Sequence, residues 1–166
     1  RFQLAGRGVI KNILRTRLAE APTDKRILFR LGKLAAQDGN IEDAVKFLRQ
    51  AAEESNNNQV WVALARAEVK GWERDPTAGH ERLRSAMEAY RRSIDLMVPE
   101  FVQTWELPLR LFELGGVYES YGSFEGALFI YQHIAGSTPS VAGFEDVLFR
   151  SAVLMRYMSS LPVMTV

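Results

Sequence analysis

One set of anchors occurs twice in this 166-residue chain and narrows what it can fold into. Leu28-x-x-Leu31-Gly32-x-x-Ala35…Gly39-x-Ile41-Glu42-x-Ala44-x-x-x-Leu48 returns as Leu111-x-x-Leu114-Gly115-x-x-Tyr118…Gly122-x-Phe124-Glu125-x-Ala127-x-x-x-Tyr131. Inside each copy the apolar residues recur at helical spacing, and a glycine separates two such runs. That is the pattern of two helices joined by a tight turn. A short connection forces the helices to lie antiparallel, and a hairpin that recurs along the chain predicts an all-α solenoid of antiparallel helix pairs.

The rest of the chain fits around these hairpins. Apolar spacing predicts helices over 8–21, 24–37 and 41–54, with Thr23 or Asp24 able to cap the second. A second pair begins with a helix over 60–72, where Trp61-x-x-Leu64-Ala65 takes the place of Leu28-x-x-Leu31-Gly32. Its partner carries Ala86-x-x-x-Tyr90-x-x-Ser93, matching Ala44-x-x-x-Leu48-x-x-Ala51. Nine residues are inserted around 71–85, so both helices of this pair are expected to be longer, with Pro76 near a helix start. Pro99 ends the pair. An added helical turn is expected over 100–107, with a kink or restart at Pro108. Helices over 109–121 and 124–135, a break at 136–140 and a last helix over 144–159 follow. Within a single domain this gives a partial repeat at 1–24, repeats at 25–58, 59–99 and 100–141, and a partial repeat at 142–166.

Composition excludes several functions. The chain has no cysteine, which removes disulfides, thiol catalysis and thiolate zinc sites. No apolar run approaches the roughly 20 residues of a membrane span. His80 and His133 stand alone, and no metalloprotease, phosphate-loop or nucleophile-elbow motif occurs. The expectation is no enzyme, no metal, no cofactor and no small-molecule substrate. Charge is unevenly spread. Residues 1–33 hold nine Lys/Arg against two Asp/Glu, and residues 100–166 hold three against seven. The basic end is either a set of solvated faces or a dock for an acidic partner. Helical periodicity is under way within the first residues and no Met opens the chain, so a fragment of a longer repeat protein is expected. The last helix is apolar on more than one face, which calls for neighbouring repeats or subunits to cover it.

At its anchors the chain resembles the tetratricopeptide repeat (TPR) family. Leu28, Leu31, Gly32, Gly39, Ala44, Leu48 and Ala51 carry the likeness in one repeat, and Leu111, Leu114, Gly115, Tyr118, Gly122, Ala127 and Tyr131 in another. Trp61, Leu64, Ala65, Ala86, Tyr90 and Ser93 match apart from the insertion, and Asn56 stands where a proline is usual. The resemblance implies a right-handed superhelix whose first helices line a concave groove. Groove candidates by this reading are Arg26, Phe29, Arg30, Lys33 and Gln37, then Val62, Arg66, Val69 and Lys70, then Phe112, Gly116 and Glu119. The first two sets make a basic, partly apolar surface suited to an acidic, partly apolar protein segment.

The functional expectation is therefore an intracellular, non-catalytic scaffold or adaptor module of a multi-subunit assembly. Alternatives are an RNA-processing helical repeat using the basic N-terminal helices, or a docking domain of a larger enzyme. Against nucleic acid stands the lack of aromatics interleaved in the basic helix.

Overall fold

The computed structural model describes residues 2–97, 106–137 and 144–160. Among these, every regular element is helical: α1 (Phe2–Glu20), α2 (Lys25–Gln37), α3 (Ile41–Ala52), α4 (Asn58–Arg74), α5 (Glu81–Asp95), α6 (Glu106–Tyr121), α7 (Phe124–Ser137) and α8 (Phe144–Ser160), with a 3₁₀ turn at Pro76–Ala78. The chain divides into two compact units, Arg1–Leu96 and Met97–Val166. In the first, α2 pairs with α3 and α4 with α5, while α3 also packs on α4 and α1 on α2. In the second, α6 pairs with α7, and α8 packs on α7. Pro99, the added turn expected before residue 106 and the segment 161–166 lie outside the described residues.

The two recurrent turns are built alike. At the end of α2, Asn40 N–H donates to Ala35 O (2.9 Å) and Gly39 N–H to Ala36 O (3.2 Å). At the end of α6, Ser123 N–H donates to Tyr118 O and Gly122 N–H to Glu119 O, both at 2.9 Å. This is the Schellman closure, which needs a left-handed residue just past the helix. Gly39 (φ +79°) and Gly122 (φ +88°) supply it without a Cβ clash. Asn40 then caps α3 by accepting from Asp43 N–H at 3.2 Å.

Close approach across each hairpin rests on small residues. A Cβ on Gly32 would stand 2.5 Å from Leu48 Cγ, and one on Gly115 only 2.4 Å from Tyr131 Cε1. Ala44, Ala65, Ala86 and Ala127 are fully buried. Leu31, Leu48, Tyr90, Leu114 and Tyr131 fill the space those residues leave.

Helix limits differ from the sequence reading in two instructive places. The α1 helix begins at Phe2, through Gly6 and Gly8, because Arg7 and Lys11 reach Asp38 at the end of α2 and anchor the extra turn. Pro108 lies in the first turn of α6, where its missing N–H has no intrahelical acceptor to lose. The second pair is longer, as the insertion requires: α4 has 17 residues and α5 has 15, against 13 and 12 for α2 and α3.

An ionic knot joins α3, α4 and α5. Glu68, 1% exposed, sits on the buried side of α4. Its carboxylate accepts from Arg49 Nη2 at 2.7 Å, Ser85 Oγ at 3.0 Å and Arg82 Nη1 at 3.4 Å. Arg82 also contacts Glu42. Three donors from two helices offset the cost of burying that charge.

Gly115→Ala gains about 1 kcal/mol of helix propensity but drives a Cβ into a buried, hydrogen-bonded ring, an overpacking term of about 1–3 kcal/mol. Net destabilisation in denaturant unfolding is expected, with Ala127→Leu losing about 1–3 kcal/mol by the same means. Glu68→Ala should cost about 2–4 kcal/mol, because half-buried Arg82 and Ser85 lose their shared acceptor and Arg82 keeps only Glu42. Arg49→Ala removes one of the three donors to that buried carboxylate while Arg82 and Ser85 remain, and should cost less, about 1 kcal/mol. Equal losses for the two would contradict the role given to burial.

Candidate functional site

The helices α2 and α4 stand side by side and run in the same direction. Asp24 starts α2 by accepting from Arg26 N–H (2.9 Å) and Ile27 N–H (3.3 Å). Asn57 starts α4 by accepting from Gln59 N–H at 3.0 Å, and Trp61 Nε1 donates to Ser55 O at 2.9 Å. At the far end Arg74 Nη1 donates to Gly39 O at 2.6 Å, holding the last turn of α4 beside the turn that follows α2.

Between the two helices lies a cavity of about 240 Å³. Lys33 and Gln37 form one wall, and Arg66 and Lys70 the other. Ala36, Ala63 and Ala67 line it with Leu48 of α3, and among the described residues no acidic side chain does. The wall residues on each helix are four apart, so successive side chains stand about 6 Å apart along the axis. Three cations thus face a small, apolar-based space. Its volume is below the roughly 300–1,000 Å³ of small-molecule pockets and is suited to one or two side chains of a longer segment. Phe29 lies one turn before Lys33, whose ammonium is 5.5 Å from the ring centroid, a cation–π distance.

The other sequence candidates are placed differently. Arg26 and Arg30 are exposed on α2 but do not line the cavity, nor does half-buried Val69. Val62 must be corrected. It is 2% exposed and offers no surface to a ligand. The resemblance placed it on the groove side of a first helix, but α4 packs against α2, α3 and α5 and Val62 lies within that packing. Phe112, Gly116 and Glu119 belong to α6 in the second unit. There Phe112 packs on Tyr131 (ring centroids 5.8 Å apart), and the Arg150 guanidinium of α8 lies 5.2 Å over its ring.

No family model matches the chain, and no curated protein does. Solved structures do. The crystal structure of YrrB, described as a TPR protein with an unusual peptide-binding site, superposes with a TM-score of 0.73 at 14% identity, over 95% of this chain and 72% of that one. The crystal structure of MamA gives 0.70 at 19% identity, over 90% and 77%. TTC0263, a thermophilic TPR protein in Thermus thermophilus, gives 0.51 at 17%, over 93% of each chain. This chain has a TPR-like fold.

Sequence reasoning missed one site in this TPR-like fold, a cleft of about 660 Å³ between α3 and α5, with α4 beneath it. Trp61, Leu64 and the Glu68 knot line it. Glu68 follows Leu64 by four residues and Ala65 by three, on the apolar stripe of α4; that placement was the available signal. Its charges are largely met within the cleft, so it reads as structural. Among the described residues no group of His, Asp or Glu could hold a metal ion, and no helix is long and apolar enough to cross a membrane.

The TPR-like second unit closes around Tyr131, which is fully buried. Its hydroxyl donates to Glu119 Oε2 at 3.0 Å, and Arg150 meets the same oxygen. Burial, then the Glu119 charge, raises the phenol well above its ordinary value. A raised folded value means that this contribution to stability is whole below the unfolded value of about 10 and is lost as pH climbs past it. Thermal melts of the chain should therefore show stability falling above about pH 10. The Tyr131→Phe variant should lose that part of the pH dependence. An identical alkaline profile for both would refute the assignment.

Proposed function

We propose that the chain is a non-catalytic protein-interaction scaffold or adaptor module of a multi-subunit assembly, and that the α2–α4 groove seats an acidic, partly apolar segment of a partner. The observation that carries this reading is the convergence of Lys33, Arg66 and Lys70 on a cavity with an alanine base and, among the described residues, no acid in its lining. Small base residues leave room for a partner's side chain, and the cations at the walls attract carboxylates from a distance and reject basic segments. The TPR-like fold supports the general role, since such a scaffold holds segments in grooves between its helices. YrrB is described as having a peptide-binding site, and the same class of ligand suits this groove.

The RNA reading has less support. Arg7 and Lys11 are engaged by Asp38, and the exposed apolar side chains Val9, Ile10 and Ile13 of α1 are aliphatic, with no π face on which a base could stack.

The test is a charge reversal at both walls, Lys33→Glu with Arg66→Glu. Short acidic peptides carrying one aromatic residue, screened by fluorescence anisotropy, should bind the unaltered chain more tightly than basic peptides of equal length. The affinity should fall as salt rises. The double variant should bind the acidic peptides about tenfold or more weakly, with circular dichroism and melting unchanged. Equal affinity in a folded variant, or no preference for acidic peptides, would overturn the assignment of this groove.

A further inference from the structure

The lining of the α2–α4 cavity carries more positive charge than one carboxylate balances. Lys33, Arg66 and Lys70 are all exposed and all border the same space of about 240 Å³. Among the described residues no acidic side chain lines it. Lys33 rests on the Phe29 ring, a contact that brings no opposite charge. Gln37 adds an amide with two N–H donors to the α2 wall. An exposed pair between one cation and one carboxylate contributes little. A planar carboxylate also offers only two oxygens, so it answers one wall and leaves the other. A phosphoryl monoester carries up to two negative charges and three strong acceptor oxygens. Those oxygens spread tetrahedrally and face both walls at once. Charge-assisted bonds to a guanidinium fork and to ammonium groups are the strong ones. Because the cations are exposed, the dianion keeps part of its hydration and escapes the full cost of burial.

The floor sets the length of the stem. Leu48 and Ala67 are almost fully buried, at 1% and 2% exposed. Apolar surface therefore lies at the bottom of the cavity and the cations stand at its mouth. A long aromatic stem entering the cavity would carry its phosphoryl group down to that floor. A serine or threonine stem keeps the group level with the cations, while a neighbouring apolar side chain fills the space over the alanines. We propose that the group recognised at these walls is a phosphorylated serine or threonine of the partner segment. This rests on the reading of the α2–α4 groove as the seat of that segment, and it makes the affinity follow the modification state of the partner.

The 166-residue chain is titrated with labelled peptides of one acidic, partly apolar sequence that differ at a single position: serine, glutamate or phosphoserine. A basic peptide of equal length is the reference. By fluorescence anisotropy the phosphoserine peptide should bind about tenfold more tightly than the glutamate peptide. That advantage should shrink as pH is lowered through about 6, where the phosphoryl group takes up its second proton. The glutamate peptide, with an ordinary carboxyl value of about 4.3, should change little over the same range and controls for any effect of pH on the chain. Lys70→Gln with Arg66→Gln should abolish most of the advantage. Lys46→Gln removes an exposed cation of α3 outside the cavity lining and should keep it. Circular dichroism checks that each variant is folded. A preference for the glutamate peptide over the basic one, with no further gain from phosphoserine, would overturn this proposal and leave the groove reading standing. No preference for any acidic peptide would overturn both. A phosphoserine advantage that survives Lys70→Gln with Arg66→Gln would place the site elsewhere and overturn the proposal. So would single-stranded RNA that competes through the same side chains as tightly as the phosphoserine peptide.

Discussion

Everything built on this chain depends on how near the two helices of a hairpin can come. At Gly32 the partner atom is Leu48 Cγ, and at Gly115 it is the edge of the Tyr131 ring. No side chain larger than hydrogen leaves room there. Because the helices are close, Leu48 is drawn into the floor of the hairpin and also reaches the α2–α4 cavity. The packing contact and the candidate binding surface are therefore two sides of one residue. A helix moved outward by a Cβ would widen the base on which Lys33 and Gln37 are mounted.

A second constraint acts on α4. Its lengthened pair adds to an apolar core a set of polar contacts in the α3–α5 cleft, where Arg49 and Arg82 converge on Glu68. A buried ion pair contributes little net stability compared with an apolar replacement of the same shape. It is demanding in geometry, however, and fixes the rotation of α4 about its axis. With Glu68 turned to α3 and α5, Arg66 and Lys70 are turned toward α2. The orientation of the basic wall follows from the orientation of the buried acid.

The anchors made the hairpins legible, and the tight turns at Gly39 and Gly122 fell where the spacing placed them. Asp24 was readable as a cap because the residue type and the apolar run agree. The misreadings have a common cause: they came from contacts between elements distant in sequence. The start of α1 was missed because Gly6 and Gly8 lower helix propensity locally, while Asp38, some 30 residues on, supplies the compensating contacts. Val62 was misplaced because the resemblance assigns it to a groove, whereas α4 packs on several sides and buries it. Of the groove set, Lys33, Arg66 and Lys70 come together in one cavity, while Arg26, Arg30 and Val69 stand outside its lining. Spacing alone does not separate those two groups, since exposed cations of α2 fall in both.

Phe29 and Phe112 differ in where the cation over the ring comes from. The two residues occupy equivalent positions, each one after the first anchor leucine. Both rings lie beneath a cation, but the cations differ in origin. Lys33, over Phe29, comes from the same helix and also lines the α2–α4 cavity. Arg150, over Phe112, comes from α8 and is tied at the same time to Glu119, which also receives the Tyr131 hydroxyl. Around α6 the chain itself already provides the cation, the aromatic contact and the carboxylate partner that a ligand would offer. On α2 and α4, Lys33, Arg66 and Lys70 line one cavity that no acidic side chain among the described residues lines, and that is the ground on which this surface is proposed as the seat of an acidic segment.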